Sequence, residues 1–202
     1  LDCDTITTVI LNLSEYPVLG QSHDLVVSMK SLSLAQRKLV YALLRSQVLS
    51  GDEIARGMAI DLMRMLRLKS IENYRTICIG MRDESWFVRD AAVEAYYVCF
   101  ARFGEAKLIP FLKDRNSIVR RKASLGLYEI LGNKAEGIVR DALKGERNLN
   151  ARAGMLGVLV RCGDRSALEE LKLIEKNGSV RLQELISKIL DDALPLFGAQ
   201  SE

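Results

Sequence analysis

An arginine returns along this chain at intervals of 33, 31, 32 and 29 residues, at Arg56, Arg89, Arg120, Arg152 and Arg181. A period in that range marks a repeat architecture, in which one supersecondary unit is copied and the copies are stacked. Each arginine follows a small or β-branched apolar residue: Ala55, Val88, Val119, Ala151 and Val180. Residues 83–113 laid over residues 114–144 give the clearest frame. Asp83 falls on Asp114, Val88-Arg89 on Val119-Arg120 and Ala92 on Ala123, all at a shift of 31.

After each arginine the apolar residues recur near the 3.6-residue period of a helix, a glycine or polar break follows, and a second, shorter amphipathic stretch comes next. Val119, Ala123, Leu127 and Ile130 share one helical face, Gly132-Asn133 stops that helix, and Ile138, Val139, Ala142 and Leu143 form the next stripe. Arg102-Phe103-Gly104 and Arg161-Cys162-Gly163 repeat the stop, a basic last turn followed by glycine. The spacing predicts first helices over 34–49, 71–81, 105–113, 135–144 and 166–176, with partners over 53–67, 86–102, 117–131, 150–162 and 179–194. A two-helix unit of this size cannot bury its own apolar face, so the copies must share one elongated core. With 3 Pro, 14 Gly and 49% hydrophobic residues in 202, the composition favours an all-α fold with material for that core.

Residues 1–33 carry apolar stretches but neither the Val-Arg element nor the spacing, and read as an N-terminal helical cap before a repeat array over 34–194 and a C-terminal tail over 195–202. Ser33 with Gln36 makes a capping box for the first array helix. Leu194-Pro195-Leu196-Phe197 is expected to break the last helix and fold back over its open face. The array is expected to form one continuous domain.

The residues that carry this pattern, Asp83 with Val88-Arg89, Asp114 with Val119-Arg120, Ala151-Arg152 and Val180-Arg181, resemble the short HEAT-like repeats of the phycobilisome-lyase type, over residues 50–192. The resemblance implies a right-handed α-solenoid of stacked helical hairpins, about five repeats plus the cap. It is specific for architecture and not for function, since such arrays serve as scaffolds, adaptors, transport receptors, lyase-chaperones and sometimes enzymes. It also implies that Arg56, Arg89, Arg120, Arg152 and Arg181 are a structural ladder, each bonding the turn Asp and nearby carbonyls, and not a track for phosphates. The chain departs from the family pattern where Glu146 and Asn177 stand for the turn Asp, and where Gly154 and Gly157 lie inside a helix and are expected to loosen it.

Candidate contact residues lie beside that ladder. Lys113, Arg115, Arg120, Arg121 and Lys122 face a single Asp114, the densest charge cluster in the chain. Cations at a helix start oppose its dipole, so helix stability does not account for Arg121 and Lys122. The stretch from Trp86 to Phe103 holds half of the aromatic residues, more than one stripe can bury, which leaves Tyr97 and Trp86 pointing outward. With Tyr128 these make up the expected partner-binding set: Trp86, Tyr97, Arg121, Lys122 and Tyr128.

No catalytic residue is identified. His23 is the single histidine, which excludes a multi-histidine metal centre, and no motif joins it to a serine and an acid. No phosphate-cradling glycine loop occurs, and Cys3, Cys78, Cys99 and Cys162 show no metal-ligand spacing. No metal, cofactor or membrane span is expected. The scattered cysteines favour a cytoplasmic location, although the chain opens at Leu1 and not Met, which leaves a removed signal and a secreted or periplasmic location open. The reading is a non-catalytic scaffold or adaptor that binds a protein or peptide segment in a concave groove. Two alternatives stand beside it: a nucleic-acid-binding protein related to alkylpurine DNA glycosylases, disfavoured by a net charge of only +3, and a lyase-chaperone or regulatory subunit. No motif specifies an oligomeric state.

Overall fold

The computed structural model describes the backbone of residues 1–15 and 19–198, with the side chains of all but 19–22 and 196–198. Among these residues every regular element is helical. The eleven α-helices are α1 (Cys3–Leu11), α2 (Leu19–Ser31), α3 (Leu34–Ser50), α4 (Glu53–Met65), α5 (Ile71–Gly80), α6 (Trp86–Phe100), α7 (Ser117–Leu131), α8 (Glu136–Leu143), α9 (Leu149–Arg161), α10 (Arg165–Asn177) and α11 (Val180–Gly198). The chain divides into two compact units, residues 1–102 and 103–202.

The helices begin where short polar side chains can satisfy their first amides. Asp52 accepts from the Ala55 amide, Ser70 from Asn73, Asn116 from Ile118 and Asn148 from Asn150 and Ala151. The Ser33–Gln36 capping box forms on α3, each side chain bonding the other residue's amide. Glycine takes a positive φ at Gly104, Gly132 and Gly163, of 81°, 58° and 93°. After α4 that position is held by Arg67 at φ 53°, the one non-glycine residue of positive φ among those described.

In the first unit α4 packs against α3 and α6, α5 against α6, and α1 against α3. Its core is formed by Ile6, Ile10, Met29, Val40, Leu44, Ile60, Met63, Ile77, Tyr96 and Phe100. In the second unit α9 lies between α7 and α11, with α8 and α10 against it as well. Being covered on so many sides, α9 is buried around most of its circumference, from Ala151 through Ala153–Val160. Each fully buried Leu or Val there contributes roughly 1.5–3 kcal/mol by leaving water.

Two elements differ from the sequence expectation. Residues 105–113 are not an α-helix but lead into a 3₁₀ segment, Ile109–Lys113. Pro110 lacks an amide hydrogen and disfavours helix in the residue before it, which is enough to tip so short a stretch. Conversely, α11 does not break at Pro195 but continues to Gly198. Pro195 lies in the last turn and is exposed, so helix continuation forfeits a single backbone hydrogen bond beside solvent. The expected fold-back of Leu196 and Phe197 concerns side chains outside the described set.

The arginine series divides on its side-chain bonds. Arg56 makes a bidentate pair with Asp83, Nε to Oδ2 at 2.8 Å and Nη2 to Oδ1 at 2.9 Å, and also donates to the Gly51 carbonyl. Arg89, 5% exposed, donates to the carbonyls of Asp83 and Glu84. Arg120 grips Glu146 with two nitrogens and donates to the Asp114 carbonyl at 2.7 Å. Arg152 bonds the Leu143 and Glu146 carbonyls and takes its carboxylate from Glu170 on α10, not from the turn residue Asn177. Two of these acids also cap their own turns: Asp83 accepts from the Ser85 amide and Glu146 from Asn148. Burial raises the Glu146 carboxyl, but Arg120 and the Asn148 amide outweigh it and hold the group below its ordinary range.

Arg181 is the exception and corrects the expected ladder. It is exposed and forms no ion pair among the described residues, and Val180 before it is 70% exposed where Val88 and Val119 are fully buried. The cause is register. Arg56, Arg120 and Arg152 each stand four residues after the side chain that caps their helix, Asp52, Asn116 and Asn148. Arg181 is only two residues after Ser179, whose hydroxyl accepts from the Leu182 amide. The interval of 29 is thus two short of the frame, and Leu182-Gln183, with Leu182 6% exposed, holds the equivalent place.

Candidate functional site

The expected contact residues fall in different units. Trp86 and Tyr97 belong to α6 in the first unit. Trp86 is 41% exposed and meets Phe87 edge-on at 6.2 Å between ring centroids. Tyr97 is half-buried beside Arg64, which pairs with Asp61 and Glu94. Arg121, Lys122 and Tyr128 belong to α7 in the second unit, where a pocket of about 270 Å³ opens between α7, α9 and α11.

This pocket is built on glycine. Gly154 and Gly157 lie three residues apart on one face of α9, and both backbones are approached closely. A Cβ on Gly154 would stand 2.2 Å from Cγ of Arg121, and one on Gly157 would stand 2.3 Å from Cγ2 of Ile189. Each glycine is the space into which a neighbouring helix sets a side chain. The Arg121 stem lies across Gly154, and its guanidinium forms no ion pair among the described residues.

Leu125, Val158, Leu185 and Ile189 give the pocket apolar walls, and Arg121, Lys122, Arg161 and Lys188 line it against one acid, Asp192. Arg161 is held in place: 15% exposed, it stands 3.6 Å from Glu129 and 3.9 Å from Asp192, with its guanidinium 5.6 Å from the centre of the Tyr128 ring. Tyr128 therefore acts on the site through Arg161, as the aromatic face on which that cation rests. The arrangement suits an anionic group flanked by apolar side chains, because oriented cations over a partly desolvated floor discriminate more strongly than cations in open water.

The sequence pointed to the α7 side of this pocket and missed α11. Lys188 and Ile189 carry no local signal, and only the packing of α11 on α9 brings them opposite Arg121. The rest of the charge cluster does not gather here: Lys113 and Arg115 are exposed outside the pocket lining, and Arg120 is engaged with Glu146.

Nothing in the described residues assembles a metal centre, for no three His, Cys, Asp or Glu side chains come together. His23 is exposed on α2. Burial lifts the Cys162 thiol, helped by Glu136, to about 11, and burial also raises Cys99. Both stay protonated near neutral pH and make poor nucleophiles. Among the described residues no helix is long and apolar enough to cross a membrane. Neither a protein-family model nor a curated protein matches the chain.

Proposed function

We propose that this chain is a non-catalytic protein-interaction module of the HEAT-like repeat type, holding a partner segment in a groove presented by α7, α9 and α11 of the second unit. The segment carries an acidic side chain next to apolar ones. The observation behind this reading is the glycine-floored pocket between α7, α9 and α11, where four cations and one acid surround apolar walls. The repeat character rests on the recurring acid, helix cap and arginine, with arginine–carboxylate pairs linking residues 56 and 83, 120 and 146, and 152 and 170.

A test uses a random peptide library selected against the full chain. Enriched sequences are expected to place Asp or Glu within a few residues of Leu, Ile or Phe. Replacing Arg121→Gln together with Lys188→Gln keeps the packing stems and removes two charges, and is expected to weaken the selected peptides roughly tenfold, about 1.4 kcal/mol. Enrichment without acidic residues, or affinity that the double variant leaves unchanged, would overturn the placement.

A further inference from the structure

We propose that the first unit carries a separate pocket for a phosphate group, between α3, the turn after α4 and the start of α5. It is a hollow of about 480 Å³ lined by Lys38, Tyr41, Arg45, Arg67, Lys69 and Asn73, with no acid in its wall. Arg56, Arg64, Arg120, Arg140, Arg152 and Arg161 reach carboxylates, whereas these four cations, like Arg121 and Arg181, form no ion pair among the described residues; here four of them line one hollow. Like charges gathered with no acid in the lining, and with Glu72 acting on Arg45 from outside it, repel one another, so a bound anion lowers the energy of the cluster.

Three further observations give the hollow a built character. Asn73 is only 4% exposed, and Arg45 Nη1 donates to its Oδ1 at 3.2 Å. That bond orients the amide, so its Nδ2 is a donor in the pocket wall with no protein acceptor among the described residues. Arg67 occupies the left-handed position that glycine fills after other helices, where an L side chain costs free energy. Its backbone closes α4 as glycine would, with the Leu68 amide bonded to the Met63 carbonyl, while Nη1 donates to the Val98 carbonyl at 3.2 Å. An arginine kept where glycine serves the backbone better points to a use for its charge. Ser70, beside Lys69, caps α5, whose first amides add to the positive field. Glu72 near the rim is the acid that a ligand must avoid.

The ligand class is a small dianionic phosphate group, either soluble or the headgroup of a lipid. Titration calorimetry of the full chain with inorganic phosphate, beside co-sedimentation with phosphatidic acid vesicles, separates the two sources. Saturable binding in either arm is expected, weakened at least tenfold by Lys38→Gln with Lys69→Gln. The decisive variant is Arg67→Gly, which suits the backbone. It is expected to leave the melting temperature within a few degrees and still weaken binding severalfold. A structural role alone would leave binding intact in that variant. The proposal is overturned if neither arm shows binding, or if binding survives the lysine substitutions.

Discussion

Arg120 and Arg181 occupy the same nominal place in a repeat and differ in what depends on them. Arg120 holds Glu146, whose side chain is 5% exposed, so Arg120→Ala leaves a carboxylate buried without its counter-charge. The expected loss is roughly 3 kcal/mol by urea denaturation. Arg181→Ala removes a solvated side chain and is expected to stay within about 0.5 kcal/mol of the parent. The pair also sets a pH dependence. The Glu146 carboxyl titrates below its ordinary value of 4.5, so its stabilising contribution is complete above that pH and is lost as pH falls through the depressed folded value. Stability measured from pH 6 to pH 3 is expected to decline less steeply in Glu146→Gln than in the parent. At this scale the sequence showed which arginines recur, but exposure decided which of them act, and a two-residue slip at Ser179 was invisible to a frame counted from arginine to arginine.

Among the elements, α9 is the one on which the second unit depends. Its two glycines make room for Arg121 from α7 and Ile189 from α11. Gly157→Ala gains about 1 kcal/mol of helix propensity but drives a methyl into Ile189 Cγ2, and overpacking of this kind costs about 1–3 kcal/mol. A net loss of about 1 kcal/mol in chemical denaturation is expected, offset in part by Ile189→Ala, which removes Cγ2. Helix boundaries were legible because caps and C-terminal glycines are local signals, as at Ser33, Gly132 and Gly163. Residues 105–113 were not, because they occupy the first-helix position of a repeat while their backbone obeys Pro110.

For the whole molecule, charge balance and local charge say different things. A net +3 excludes a strongly basic surface, yet two pockets each gather four cations, one in each compact unit. Arg121 and Lys122, which line the second unit's pocket, stood out in the sequence because they are adjacent and oppose their own helix dipole. The pocket of the first unit was not, since its cations are spread from Lys38 to Lys69 and meet only through packing. The most direct test of partner binding is a backbone amide NMR titration of the full chain with a selected acidic–apolar peptide. The largest shifts are expected at Leu125, Gly154, Gly157, Val158 and Leu185. Shifts centred on Trp86 and Tyr97, or absent from α9 altogether, would contradict a binding site between α7, α9 and α11.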